Sequence, residues 1–152
     1  MFDRFFQTKN SSNEEVILFG DKQQKFEIIL GNEQQIEYFQ LDEIIKSCKE
    51  INSLKACDYV LADHKNNRIL LCELKNSNEA NTINKAKLQL EHSKHIVNLF
   101  LNVLGKSGYL YTFLTVSKRS MNKKPTKRYM YKKNKYRETS SKALRFNELQ
   151  YE

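Results

Sequence analysis

The chain has 152 residues, with 26 Lys or Arg against 18 Asp or Glu and a formal net charge of +8. That length suits one domain with a sizeable core, and four Gly and one Pro exclude a linker-rich or collagen-like chain. No apolar run approaches the roughly 20 residues of a bilayer crossing, and residues 1–6 lack a signal-peptide layout.

In chain order, Glu15-Val16-Ile17-Leu18-Phe19 predicts a short strand ended by Gly20. Residues 26–30 and 35–39 are β-rich and flank Gly31-Asn32-Glu33, a hairpin signal. Asp42 then reads as a helix N-cap, and Ile44, Ile45, Cys48 and Ile51 recur at helical spacing. Cys48, Cys57 and Cys72 lie in apolar stretches without C-x-x-C spacing. They read as buried thiols in a reducing, cytoplasmic setting rather than as a zinc site.

Two apolar runs follow, Cys57-Asp58-Tyr59-Val60-Leu61-Ala62 and Arg68-Ile69-Leu70-Leu71-Cys72-Glu73-Leu74-Lys75, separated by the polar Asp63-His64-Lys65-Asn66-Asn67. With Asn66-Asn67 as a two-residue turn, Lys65 pairs with Arg68, Asp58 lies opposite Lys75 and Val60 opposite Glu73. Side chains alternate faces along a strand and cross-strand partners share a face, so Asp58, Glu73 and Lys75 all point the same way. Two carboxylates on one face suit a hard divalent cation such as Mg²⁺ or Mn²⁺, and a neighbouring ammonium can serve a water and offset developing charge.

A polar loop, residues 76–81, leads to a long helix predicted over 82–104 and ended by Gly105, with Ala86, Leu90, Val97, Leu101 and Leu104 as its core stripe. His92 and His95, three apart, can meet on one helix face; they read as polar-side residues rather than metal ligands. Residues 109–116 form the strongest β run, expected parallel to the Glu73 strand with the long helix as crossover. Residues 143–146 add one last short element. The chain shows no internal repeat and no nucleotide-binding glycine loop.

The charge divides the chain into 1–117, a core with N-terminal strands, and 118–152, a basic segment packed on or extending from it. Residues 1–117 hold 14 basic and 15 acidic residues, whereas 118–152 hold 12 basic and 3 acidic. Lys118, Arg119, Lys123, Lys124, Lys127, Arg128, Lys132 and Lys133 are interleaved with Tyr129 and Tyr131. Basic groups neutralise phosphates and tyrosines stack on bases, so this segment is expected to contact nucleic acid.

The Asp58, Glu73-x-Lys75 pattern resembles the PD-(D/E)XK nuclease superfamily, although Cys57 stands where the family's Pro would be. The resemblance covers roughly residues 41–116. It implies an α/β restriction-endonuclease-like core with a mixed central sheet flanked by helices, in an α-β-β-β-α-β order. It also implies metal held by Asp58, Glu73 and the Leu74 carbonyl, with Lys75 at the attacking water. Gln89-Leu90 is similar to the glutamine motif of the RecB-like branch, in which a helix glutamine supports the catalytic set. Some members carry a further acid on the first helix, which Glu43 or Glu50 would match. The implied activity is Mg²⁺- or Mn²⁺-dependent phosphodiester hydrolysis, DNA favoured, by a homodimer or with partner proteins. The rival readings are a ribonuclease and a catalytically inactive nuclease-fold subunit that binds nucleic acid in a repair or defence complex.

Overall fold

The apolar runs of the centre form Tyr59–Asp63 and Arg68–Lys75, strands whose middle residues are buried on both faces. Strands covered on both sides read as continuous hydrophobic stretches rather than as alternation, which is why these two stand out in the sequence. The computed structural model describes residues 7–11, 15–20, 24–117, 136–139 and 143–149. Its elements are β1 (Gln7–Ser11), β2 (Glu15–Gly20), β3 (Lys25–Leu30), β4 (Gln34–Gln40), α1 (Leu41–Ser47), β5 (Tyr59–Asp63), β6 (Arg68–Lys75), α2 (Ala80–Val103), β7 (Leu110–Ser117), β8 (Tyr136–Thr139) and β9 (Ala143–Arg145), followed by a 3₁₀ turn over Phe146–Glu148.

The protein is α/β. Among the described residues, one mixed sheet has the order β1-β4-β5-β6-β7-β8 and a second has the order β2-β3-β9. Strands β1, β4, β5 and β6 pair antiparallel, while β6–β7 and β7–β8 are parallel. Helix α2 makes the crossover that the parallel β6–β7 pair requires. Its residues Ile83, Ala86, Leu90, Ser93, Val97 and Leu101 are buried at spacings of three and four, so one stripe faces the sheet.

Two cores lie on opposite faces of the larger sheet. On the helix side, Val60, Ala62, Ile69, Leu71, Tyr111 and Phe113 meet Ile44 and Ile45 of α1 and Leu90, Val97 and Leu101 of α2. On the other side, Tyr59, Leu61, Leu70, Cys72, Leu114 and Val116 meet Ile17, Phe19, Phe26, Ile28 and Leu30 of the small sheet. The period-two alternation therefore sorts residues into layers, with helices, the large sheet and the small sheet stacked in that order.

Several expectations are corrected. The turn at residues 31–33 does not close a ladder between β3 and β4, because the two strands enter different sheets. Glu33 takes φ 59°, and the Gln34 side chain accepts from the Gly31 N–H and donates to Asn147. The chain thus folds over a corner, and Ile28, Leu30 and Ile36 meet across the interlayer core instead of side by side. Strand β3 pairs with β2 and β9, and β1 is an element the sequence reading lacked.

Helix α1 stops at Ser47, with Gln40 and not Asp42 at its N-cap; Ile51 lies beyond it in a turn, 37 % exposed. Leu104 is 67 % exposed and belongs to no core stripe. The order of elements also departs from the family arrangement. The antiparallel triplet β4-β5-β6 is present, but α1 follows its first strand rather than preceding it, and residues 49–53 are turns where the helix was expected to continue through Ile51. The β5–β6 register is shifted by two residues. Asp63 pairs with Arg68 and Val60 with Leu71, because the Asp63 carboxylate takes the Asn66 main-chain N–H and side-chain amide and so caps a four-residue loop. A shift of two preserves the facing of every side chain, whereas a shift of one would have reversed it.

Candidate active site

Asp58 precedes β5, and continuing the observed register places Glu73 directly opposite it rather than diagonal to it. Two bonds tie these strand ends together. The Asp58 main-chain N–H donates to Glu73 Oε2 at 3.1 Å, and Asp58 Oδ2 accepts from the Leu74 N–H at 2.7 Å. Glu73 shares its face with Ile69 and Leu71 on the helix side of the sheet, so its carboxylate and that of Asp58 meet beneath α2.

Helix α2 completes the cluster. The Lys75 ammonium donates to Glu73 Oε1 and, at 2.7 Å, to Gln89 Oε1. The Gln89 amide in turn donates to the Ala56 carbonyl at 3.2 Å. One turn further on, the Ser93 hydroxyl donates to the Gln89 carbonyl and accepts the Cys57 N–H, both at 2.7 Å. Gln89 and Ser93 are four residues apart, hence on one helix face, and together they pin the segment carrying Asp58 to α2.

The electrostatics are those of a buried acid, Glu73, held against a half-buried one, Asp58. Burial first, then the Asp58 charge, pushes the Glu73 carboxyl up to about 7 against the pull of Lys75. Burial also raises Asp58; the Leu74 N–H and the Lys75 and Lys46 ammonium groups oppose the rise, and Asp42 adds to it. Such a pair gains from a cation that takes both carboxylates.

The donors suit a small hard ion. Among the described residues no group of three or more His, Cys, Asp or Glu side chains is arranged to hold a metal, so an ion here would need a main-chain or solvent ligand beside the two carboxylates. A strand residue carries its N–H and C=O on the same edge. Since the Leu74 N–H points at Asp58, its carbonyl lies on that edge too. Two carboxylates, one carbonyl and open solvent match an ion that keeps several waters.

The remaining candidates divide. Asp58, Lys75, Gln89 and His92 line a cleft of about 730 Å³ between the 52–56 connection and α2. Glu43 borders a second cleft, about 340 Å³, on the far side of Asp58. Glu50 is exposed in the turns after α1 and borders neither cleft, and His95 is likewise exposed and borders neither. Lys118, Arg119, Lys123, Lys124, Lys127, Arg128, Lys132 and Lys133 lie outside the described residues.

Three participants escaped the sequence reading. Asp42 borders both clefts and is paired with Lys46 at 2.7 Å. Ser93 and the Ala56 carbonyl anchor Gln89. The burial of Ser93, a small polar residue within the α2 stripe, was the available signal; a main-chain carbonyl leaves none. A scan against protein-family models, a search of curated proteins and a search of solved structures each returned no match.

Proposed function

We propose that this chain is a divalent-metal-dependent phosphodiesterase, a nuclease of the PD-(D/E)XK class on a rearranged restriction-endonuclease-like core, with DNA as its favoured substrate. The observation that carries the reading is the Lys75 ammonium held between Glu73 and Gln89, while Asp58 and Glu73 bond to each other's strand ends. An ordinary surface salt bridge needs none of the supporting bonds from α2.

Asp58, Glu73 and the Leu74 carbonyl would hold Mg²⁺ or Mn²⁺. Bound there, such an ion would supply Lewis-acid polarisation of a phosphate and a more acidic water. Lys75 has three N–H donors, of which two go to Glu73 and Gln89, leaving one for a phosphate oxygen or the water. A preoriented donor of this kind is most effective where charge develops in the transition state. Gln89 is a positioning residue: its carbonyl fixes the ammonium and its amide fixes the Asp58 segment. Free thiols at Cys48, Cys57 and Cys72 accord with a reducing cytoplasm, and no helix among the described residues is long and apolar enough to cross a membrane.

The test is incubation of the purified chain with single- and double-stranded DNA and RNA in Mg²⁺ or Mn²⁺. Metal-dependent cleavage that is lost in Asp58→Asn supports the reading. Intact substrate in every lane, or cleavage that survives the substitution, rejects it.

A further inference from the structure

The cleft beside the acids holds more than hydrolysis requires. Thr82, Lys85, Gln89 and His92 recur at spacings of three and four, so one face of α2 forms a wall, and residues 52–56 supply another. Lys55 and Lys85 are exposed here and form no ion pair among the described residues. Leu54 and Leu88, from the two walls, are 51 % and 61 % exposed. A single exposed leucine is unremarkable in any protein. Two that border one cleft together with cations, and with Asp58 and Lys75 bordering the same space, form an amphipathic surface beside the candidate centre.

We propose that this cleft seats an unpaired nucleic-acid strand, with Lys55 and Lys85 on phosphates and Leu54 and Leu88 against base faces. The inference rests on the nuclease reading for what happens at Asp58 and Glu73, and adds which substrate reaches them. A volume of about 730 Å³ is in the range of small-molecule pockets, the size of a short stretch of unpaired strand. Apolar side chains gain from base faces, which a duplex hides in its stack and an unpaired strand presents. The lysines bind the repeating phosphate charge without regard to sequence.

The experiment is fluorescence anisotropy with the full chain in EDTA, where nothing is cleaved. The probes are labelled oligothymidylate, oligouridylate and a blunt duplex of equal length. Because the basic 118–152 segment is unchanged throughout, differences between variants report the cleft. Wild type should bind a single strand at least about tenfold more tightly than the duplex. Leu54→Ser with Leu88→Ser should remove about tenfold of single-strand affinity and leave duplex binding unchanged. Lys55→Gln with Lys85→Gln should reduce the log K against log salt slope on single strands by about 1.4, roughly 0.7 per phosphate lost. Equal or tighter duplex binding, or a leucine pair variant that binds single strands as wild type does, overturns the proposal. A wild-type chain that grips single strands this way yet cuts nothing in Mn²⁺ would sink the nuclease reading and leave the cleft assignment standing. Duplex cleavage with an inert leucine pair would do the reverse.

Discussion

Glu73 is 2 % exposed and faces Asp58, so its carboxyl pays for ionisation twice, through burial and through like charge. A folded-state value near 7 exceeds the ordinary 4.5, so the folded chain binds this proton more tightly than the unfolded chain. The metal-free protein should therefore be most stable below about pH 4.5 with respect to this group and lose stability as pH rises through about 7, by on the order of a few kcal/mol. Urea midpoints in EDTA across that interval give the slope, and Glu73→Gln should flatten it; an equal slope in the variant would refute the assignment. At subsaturating metal, turnover should rise over the same interval, since the deprotonated carboxylate would be the ligating form; saturating metal should move the rise to lower pH. Lys75→Met should lower the rate at saturating Mn²⁺ by about a hundredfold or more, with the Mn²⁺ midpoint moved far less. A midpoint displaced as much as the rate would reassign Lys75 to metal retention.

At the scale of elements, the cluster depends on α2 being fastened to the chain before β5. Ser93 is fully buried and makes that attachment through the Cys57 N–H. Ser93→Ala leaves that N–H without its partner, so it should cost about 1–3 kcal/mol in a denaturant melt and reduce turnover by loosening Asp58. A variant with wild-type stability and turnover would show that the attachment is dispensable. The pattern of apolar runs made β5, β6, β7 and α2 legible, because elements buried on one stripe or on both faces have a strong periodic signature. The shared facing of Asp58, Glu73 and Lys75 survived a wrong register, since the error was two residues and the side-chain period is two. What the sequence concealed depends on contacts between distant segments. The corner between β3 and β4 follows from which core their stripes enter, and the early end of α1 left Ile51 in a turn although its spacing is helical. Asp42 looked like a cap because nothing local reveals that β4 delivers α1 to the sheet end holding Asp58.

For the whole molecule, the dependence on salt and on metal tests the proposed function. Mn²⁺ should raise the melting temperature, because an ion bound only by the folded state stabilises it and relieves the repulsion between the two acids. Asp58→Asn should abolish that rise, and a persistent shift in the variant would place the ion elsewhere. Replacing Lys123, Lys124, Lys132 and Lys133 by Gln should weaken nucleic-acid binding and flatten its salt dependence, with little effect on the rate at saturating substrate, because such contacts hold ground and transition states alike. Unchanged affinity and slope would return the basic segment to solvent. The measurement that bears most directly on the central claim is the single-turnover cleavage rate in Mn²⁺ for wild type and Asp58→Asn, prepared side by side and shown to be equally folded. Wild type should cleave in a way that EDTA stops, and the variant should be slower by at least about a thousandfold. Equal rates in the two proteins, or no cleavage by wild type of any DNA or RNA offered, would contradict it.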